Sequence, residues 1–267
     1  MASTALVTGA SSGIGYALAE ILAADGYHLV LVARNVAKLA EMKQGLEARH
    51  KIQVQILPKD LSEPAASQEL FDQLQSEGVV VEVLVNNAGF GDYGPFAEAR
   101  WDKTDEMIRL NILSLTHLTH LLVTGMVQRG HGRILNLAST AAFQPGPLMA
   151  VYYASKAYVL HFSEALANEL QGTGVTVTAL CPGPTATGFQ QAADLQDSKL
   201  VKGKRLPSAE EVARFGYRAM LQGKPVAIPG LMNWLLALSI RFTPRAWVTK
   251  IVRGMQETTR SSRSSRA

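Results

Sequence analysis

A tyrosine and a lysine lie four residues apart in the stretch Val-Tyr-Tyr-Ala-Ser-Lys-Ala-Tyr at positions 151–158, and this pair could move a proton. Residues four apart share one face of a helix, so Tyr152 is expected over Lys156, whereas Tyr153 points about 100° away. A cation within ~4–6 Å lowers the pKa of a phenol, which suits a tyrosine to donate or accept a proton. The alternative, from this stretch alone, is an amphipathic pair on a half-buried helix.

A second pattern, Thr-Gly-Ala-Ser-Ser-Gly-Ile-Gly at positions 8–15, is typical of a loop that binds phosphate groups. It falls between a predicted strand and a predicted helix, whose N-terminus offers N–H donors and partial positive charge. In a dinucleotide site, the first glycine permits the tight turn, the second lets backbone approach a pyrophosphate, and the third permits close helix packing. The alternative is a turn without a ligand. The predicted contacts are Gly9, Ser11, Ser12, Gly13, Ile14 and Gly15.

The second predicted strand ends in Arg34 and Asn35, with no carboxylate where an NAD-preferring site would hold the ribose hydroxyls. A guanidinium group matches the 2′-phosphate of NADP instead. NADP(H) is therefore favoured over NAD(H), unless Arg34 is an ordinary solvated surface residue.

Short apolar, β-branched runs alternate with longer amphipathic runs along the chain. This alternation predicts an α/β fold of the Rossmann type: a doubly wound parallel sheet of about seven strands with helices on both faces. We expect a single domain over residues 1–255 and a disordered basic tail over residues 256–267. Strands are predicted at residues 5–7, 28–33, 53–57, 81–85, 133–137, 175–180 and 226–228, and helices at 14–24, 37–49, 64–76, 101–129 and 152–170.

The composition, with 47% hydrophobic and 18% charged residues, is ordinary for a soluble globular protein. Seven basic residues and one acidic residue lie from Arg241 onward, so this segment carries +6 and the preceding residues −2 of the chain's net +4. The main body therefore lacks the footprint of a nucleic-acid-binding protein. Cys181 is the only cysteine and no basic run precedes the first apolar stretch, so we expect a cytoplasmic protein without a secretory signal. His117 and His120 have no further ligand at suitable spacing, so no metal site is expected.

Together with four further motifs, these patterns resemble the short-chain dehydrogenase/reductase family, in its single-domain branch of about this length. The match runs from about Ala5 to Thr187, with every motif in order. The resemblance implies an oxidoreductase that reduces a ketone or aldehyde, or oxidises an alcohol, by hydride transfer with a nicotinamide cofactor. The motifs are the glycine loop, Asn86-Asn87-Ala88-Gly89, Asn111, Ser139, Tyr152-x-x-x-Lys156 and Pro182-Gly183.

The resemblance also implies the roles of individual residues. Tyr152 transfers the proton. Lys156 lowers the pKa of Tyr152 and binds the nicotinamide ribose, and Ser139 hydrogen-bonds the substrate oxygen. Asn111 holds a proton-relay water, unless its side chain only satisfies backbone groups. Asp60, with Leu61 after it, contacts adenine, unless it caps its own loop. The other implied cofactor contacts are Asn87, Ala88 and Gly89 on the adenosine side, and Pro182, Gly183, Thr185 and Thr187 near the carboxamide and phosphates.

The region that would hold the substrate is less informative. Residues 188–206 lack periodicity and are expected to form a substrate lid. Phe143 and Phe189 are predicted substrate contacts beside Ser139 and Tyr152, and they favour a ketone or aldehyde of moderate size and low charge.

The C-terminal segment, residues 231–255, begins with an apolar run of about ten residues and then becomes basic. The run is shorter than the ~20 residues that span a membrane. We interpret it as a helix that covers the lid or makes a subunit contact. The alternative is an interfacial helix that delivers lipophilic substrates.

The same motifs bear on the oligomeric state and on two alternative functions. The family pairs its subunits through the helices that carry Asn111 and Tyr152, so a homodimer or homotetramer is expected. A non-catalytic dinucleotide sensor would not need the intact set of Ser139, Tyr152 and Lys156. A membrane-surface or partner-binding protein on the same fold is the other alternative.

Overall fold

Seven parallel strands form one sheet in the order β3-β2-β1-β4-β5-β6-β7. The computed structural model describes residues 3–188 and 206–257, so the predicted lid with Phe189, and the tail beyond residue 257, lie outside the described residues. The predicted fold class is confirmed, and the strands agree with the prediction to within one or two residues. They are β1 Thr4–Thr8, β2 His28–Ala33, β3 Val54–Pro58, β4 Val81–Asn86, β5 Gly132–Leu137, β6 Val175–Leu180 and β7 Val226–Ala227.

Helices cover both faces of this sheet, so its central strands are apolar on both sides. Successive side chains of a strand point to opposite faces. Ala5 and Val7 of β1 therefore enter the core beneath the first, second and seventh helices, and Leu6 enters the core beneath the third and fifth. The helices are α1 Gly13–Ala24, α2 Val36–His50, α3 Ala66–Ser76, α4 Trp101–Ile108, α5 Leu115–Arg129, α6 Ala150–Glu169, α7 Ala209–Leu221, α8 Leu231–Ser239 and α9 Arg245–Gln256.

The order of the strands places a crevice beside β1. Val7 is in register with Leu31 of β2 on one side and with Val85 of β4 on the other. β2 and β3 extend the sheet on one side of β1, and β4 to β7 extend it on the other side. Ligands of open α/β sheets bind at such a switch point, beyond the carboxyl ends of the strands.

The long predicted helix over residues 101–129 is interrupted. α4 and α5 are joined by a π-helical segment, Arg109–Ser114, which contains Asn111. By length and apolar composition, the whole stretch Trp101–Arg129 would be long enough to cross a membrane. Its residues Leu118, Leu122 and Met126 are instead buried against the sheet, as in the core helix of many globular domains.

The C-terminal helix α9 continues one residue beyond the predicted domain boundary. Gln256 is fully buried, and its side-chain amide donates a hydrogen bond to Tyr153 Oη. Tyr93 Oη donates to the backbone carbonyl of Gln256 at 3.0 Å. The prediction that the disordered tail begins at residue 256 is therefore corrected, because these contacts fasten Gln256 to the body of the domain.

Candidate active site

Tyr152 and Lys156 lie one turn apart on the buried face of α6, as their spacing predicts. Both line a cavity of about 700 Å³ at the carboxyl ends of the strands. Lys156 Nζ lies 5.8 Å from the centroid of the Tyr152 ring and donates a hydrogen bond to the carbonyl oxygen of Leu137 at 2.7 Å. The last carbonyl of β5 therefore positions the ammonium group.

Tyr153 also lines the cavity, although its position on the helix predicts that it points away. Its ring stands edge-on to that of Tyr152, with centroids 6.0 Å apart and an interplanar angle of 76°. The hydroxyl group of Tyr153 accepts the hydrogen bond from Gln256. Tyr153 thus joins α6 to the C-terminal helix, and its hydroxyl is engaged there.

Burial controls the protonation of the tyrosine and lysine pair. Desolvation raises the pKa of Tyr152, and a hydrogen bond with Ser139 opposes this rise. Desolvation lowers the pKa of Lys156 to about 8. The expectation that Lys156 lowers the pKa of Tyr152 is not met, because the loss of hydration on burial dominates and raises this pKa. At neutral pH Tyr152 therefore keeps its proton, and Lys156 is mostly charged.

Ser139 approaches Tyr152 from the end of β5. It caps the short 3₁₀ helix Thr140–Phe143, where its Oγ accepts a hydrogen bond from the N–H of Ala141 at 3.1 Å. Its hydroxyl also donates to the carbonyl oxygen of Pro182 at 3.4 Å. Because Ser139 and Tyr152 are hydrogen-bonded to each other, two hydroxyl groups meet at one point on the cavity wall. Such a pair can donate to a single carbonyl oxygen.

Asn111 is buried in the π-helical segment behind this cluster. Its Oδ1 accepts from the N–H of Phe90 at 3.1 Å, and its Nδ2 donates to the carbonyl oxygen of Phe90 at 2.9 Å and to Ser155 Oγ at 3.1 Å. A Cβ added at Gly89 would lie 2.8 Å from Asn111 Oδ1 and 3.6 Å from Lys156 Nζ. The side chain thus satisfies backbone groups, as the alternative held, and does not line the cavity. The water-holding role stays a prediction, at a π-helical segment of the kind frequent at functional sites.

The glycine loop has the conformation that its sequence predicts. Gly9 and Gly13 have φ values of +62° and +56°, in the left-handed region that favours glycine. A Cβ at Gly15 would lie 2.3 Å from Asn87 Nδ2, so Gly15 serves close packing and does not reach the cavity. Asn87 Nδ2 donates to the carbonyl oxygens of Thr8 and Gly9 at 2.9 and 3.1 Å, which fastens β4 to the loop. The other predicted contacts of the loop line the cavity: Gly9, Ser11, Ser12, Gly13 and Ile14.

At the far end of the cavity, Arg34 makes two ion pairs. Its Nη1 lies 3.0 Å from Glu106 Oε1 and 3.3 Å from Asp60 Oδ2, while 65% of its side chain is exposed. Asp60 also accepts hydrogen bonds from the backbone and the hydroxyl of Ser62, at 3.0 and 2.6 Å, so it caps its loop as the alternative held. The pKa of Asp60 lies below its usual value. Burial alone would raise this pKa, but the hydrogen bonds from Ser62 and the charge of Arg34 together lower it by more. Lys59, which the sequence analysis did not single out, also lines this end of the cavity, and its ammonium group pairs with Glu69 Oε2 at 2.6 Å.

The turn after β6 crosses the cavity between the glycine loop and α8. Thr185 Oγ1 donates to the carbonyl oxygen of Gly183 at 2.9 Å. A Cβ at Gly13 would lie 3.3 Å from Thr187 Cγ2, and one at Gly183 would lie 2.9 Å from the amide atoms of Asn233. Glycine is therefore needed where these three segments meet. The remaining predicted cofactor contacts also line the cavity: Leu61, Asn87, Ala88, Gly89, Pro182, Gly183, Thr185 and Thr187.

The C-terminal helices supply the apolar wall of the cavity, which the sequence analysis did not predict. Side chains of α8 and α9 line it together with Phe90 and Met149. Phe143, a predicted substrate contact, packs instead against the core beside α6, and its neighbour Gln144 lines the cavity. Both residues end a 3₁₀ helix, and the direction of that short turn decides which of them faces inward. The C-terminal lining residues include Leu236, Ile240, Val248, Ile251, Val252 and Met255.

The lining residues fit an extended dinucleotide. The Arg34 guanidinium lies at one end, and a cradle of positive-φ glycines at a helix N-terminus follows. The Tyr152 cluster lies at the other end. A helix N-terminus beside such glycines is suited to a pyrophosphate.

Comparisons with known proteins agree with this geometry. The sequence model of the family described as short chain dehydrogenase matches residues 3–198. The chain belongs to the short-chain dehydrogenase family, whose members are oxidoreductases. The predicted family is thus confirmed.

Particular relatives span nearly the whole chain. A very-long-chain 3-oxoacyl-CoA reductase of Pyrenophora tritici-repentis is 32% identical over 265 residues, which cover 96% of this chain and 77% of that one. A short-chain dehydrogenase from Sphingobium yanoikuyae, solved in complex with NADPH, is 31% identical with a TM-score of 0.81, covering 97% of this chain and 99% of that one. A bulky-bulky ketone specific alcohol dehydrogenase from Comamonas testosteroni is 28% identical with a TM-score of 0.77, and the match covers 90% of this chain and 92% of that one.

Proposed function

We propose that the protein is an NADPH-dependent reductase of ketones or aldehydes, in which Tyr152 donates the proton. The observation that carries this proposal is the cluster of half-buried Ser139 with buried Tyr152 and Lys156, which faces the cavity beside the glycine loop. A dinucleotide sensor would have no use for this cluster.

The residues of the site suit the protonation of a reduced carbonyl oxygen. A free tyrosine is ionised in only about one molecule in a thousand at pH 7. Burial raises the pKa of Tyr152 further, so it is a proton donor. The Ser139 hydroxyl, once it turns from its long bond to the carbonyl oxygen of Pro182, donates a second hydrogen bond to the same oxygen, and the Lys156 ammonium stabilises the phenolate that remains. NADPH, when bound, supplies the reducing equivalent, while Leu137 holds Lys156 in place.

The preference for NADPH rests on Arg34. Exposed ion pairs contribute only about 0–1 kcal/mol, so Arg34 can leave Glu106 and Asp60 at little cost. A guanidinium group can then bind a 2′-phosphate through two parallel hydrogen bonds. The relative from Sphingobium yanoikuyae, solved with NADPH, supports the same preference.

The substrate class that we propose is a ketone with large apolar substituents. The wall opposite Tyr152 is built from aliphatic side chains, among them Leu236, Ile240 and Val252. Burial of a long apolar chain against such a wall contributes about 0.8 kcal/mol per methylene group. The names of two relatives, which refer to very-long-chain 3-oxoacyl-CoA and to bulky ketones, point to the same class.

We further propose a cytoplasmic homodimer or homotetramer. Cys181 is buried and is the only cysteine, which suits a reducing compartment. Leu113, Val127 and Tyr158 expose apolar surface on the helices through which the family pairs its subunits.

A panel of carbonyl compounds, assayed for consumption of NADPH and NADH, tests the proposed reaction. We expect turnover of medium- and long-chain ketones or 3-oxoacyl thioesters, with NADPH preferred and with short polar carbonyls poor. Binding of NADPH without turnover of any carbonyl or alcohol would instead indicate a sensor.

A further inference from the structure

Helix α8 is apolar around nearly its whole circumference, yet it lies mostly on the surface. No charged residue occurs between Lys224 and Arg241. Of the nine residues of α8 only Ala237 is buried, while Leu231 and Met232 are 73% and 68% exposed. Among the residues that the structure describes, none covers the outer side of α8, and a soluble domain rarely leaves a whole apolar helix uncovered, so this surface points to a partner.

Helix α9 extends the same surface. Its inner stripe, Val248, Val252 and Gln256, is buried, and the adjacent stripe exposes Trp247 and Ile251. Phe242, in the turn between the two helices, is 81% exposed. We call these side chains the C-terminal apolar surface: Leu231, Met232, Trp234, Leu235, Phe242 and Trp247.

Basic residues border this surface. Arg241, Arg245, Lys250 and Arg253 are exposed, and within the described part of the chain Arg253 pairs with Glu257. The sequence from Arg241 onward carries +6, while the preceding 240 residues carry −2. Exposed aromatic and aliphatic side chains with basic flanks are typical of helices that lie in the interface of an anionic membrane.

The C-terminal apolar surface is continuous with the wall of the active-site cavity. Leu236, Ile251 and Met255 line the cavity and are also exposed at its mouth. A molecule that leaves a bilayer beside α8 and α9 would therefore reach the cavity without crossing a polar surface.

We infer that the C-terminal apolar surface docks on an anionic lipid bilayer, with α8 and α9 lying in the interface. The nine residues of α8 are too few to span a membrane. A second copy of the chain is a poorer occupant, because a two-fold contact would bring the basic borders of both copies together. An anionic surface neutralises them instead. This docking does not depend on the proposed reaction.

Co-sedimentation of the full chain with vesicles tests the inference. We expect binding to phosphatidylcholine vesicles that contain phosphatidylglycerol, weaker binding at high salt, and little binding to phosphatidylcholine alone. The double variant Trp234→Ser/Trp247→Ser should lose at least about tenfold in partitioning, because it removes two exposed aromatic side chains that would insert into the interface of the bilayer. Neither tryptophan lines the cavity, so turnover of a water-soluble ketone should not change. A matched control is Phe96→Ser/Trp101→Ser, which removes two exposed aromatic residues elsewhere and should bind normally.

A second pair of variants separates specific docking from net charge. Arg245→Gln/Lys250→Gln should weaken partitioning by a factor on the order of 30, since each basic residue near an anionic surface contributes about 1 kcal/mol. Lys51→Gln/Lys224→Gln removes the same charge from two exposed lysines that precede β3 and β7, at the amino ends of the strands and away from the cavity, and should have little effect. The inference is overturned if the wild-type chain does not bind anionic vesicles. It is equally overturned if the tryptophan pair instead breaks an oligomer, since a second copy would then cover the surface.

Discussion

At the scale of single residues, the unexpected finding is the direction of the pKa change at Tyr152. The spacing of Tyr152 and Lys156 predicts a phenol whose pKa is lowered by a neighbouring cation. In the structure both side chains are buried, and desolvation raises the pKa of the tyrosine and lowers that of the lysine. The phenol therefore keeps its proton at neutral pH, as a proton donor in the proposed carbonyl reduction must.

This protonation state predicts the pH dependence of reduction. The pKa of Lys156 is lowered to about 8, so the ammonium group is present below this pH and is lost above it. Tyr152 stays protonated through the same range because its pKa is raised. kcat/KM for carbonyl reduction should therefore be level near neutrality and fall above about pH 8. A profile that stays level well into the alkaline range would contradict this role of Lys156.

Arg34 should decide the choice of cofactor. Loss of a hydrogen-bonded charge pair costs about 1.5–3 kcal/mol, so Arg34→Ala should lower kcat/KM for NADPH by roughly 10- to 150-fold. The value for NADH should change little, because NADH lacks the 2′-phosphate. Glu106→Gln removes the carboxylate that competes for Arg34, and NADPH should bind at least as well to this variant. Equal losses with both cofactors after Arg34→Ala would remove Arg34 from the 2′-phosphate site.

At the scale of elements, the sequence predicts the strands well and the short irregular helical segments less well. The periods of β1 to β7 and the glycine loop are local signals, so both are found correctly. The π-helical segment at Asn111 is not predictable from periodicity, because one wider turn hardly disturbs a 3.6-residue pattern. The sequence predicts Phe143 at the substrate, but its half-buried side chain packs against the core beside α6, since the orientation of a single 3₁₀ turn depends on tertiary packing.

The contact between Gly146 and Tyr153 gives an element-scale prediction. A Cβ at Gly146 would lie 2.1 Å from the Tyr153 ring, whose hydroxyl is held by Gln256. The ring cannot move without releasing α9, so Gly146→Ala should destabilise the fold by about 1–3 kcal/mol. Thermal denaturation should show this as a lower Tm, by roughly 2–4 °C per kcal/mol.

Gly254→Ala is the control for this substitution. It lies within α9, and a Cβ there meets no atom within 4 Å. Alanine is favoured over glycine in a helix by roughly 0.5–1 kcal/mol, so the Tm should rise slightly. Equal changes in both variants would show that the Tyr153 contact is not tight.

At the scale of the whole molecule, the C-terminal segment is the part that the sequence leaves open. The interpretation that its helices cover the lid or make a subunit contact stays a prediction, and the structure adds that they line the cavity and expose an apolar surface. Their position follows from long-range contacts, above all that of Gln256 with Tyr153, which no local pattern encodes. The unequal distribution of charge, by contrast, is plain from the sequence.

The oligomeric state is a prediction at this scale. Light scattering should give two or four times the chain mass of 28.8 kDa. Val127→Glu places a charge on the exposed face of α5 and should shift the mass toward that of one chain. A wild-type mass of a single chain would contradict the proposed assembly.

The most direct test of the account is the turnover of Tyr152→Phe beside that of Tyr158→Phe. Tyr158 lies on the same helix, but its hydroxyl bonds to Thr116 at the exposed side, 2.9 Å away. Loss of a general acid costs about 10²–10⁴-fold, so Tyr152→Phe should bind NADPH normally in a fluorescence titration and lose turnover by that factor. Tyr158→Phe should keep both properties. Comparable turnover in the two variants would contradict the assignment of Tyr152 as the proton donor.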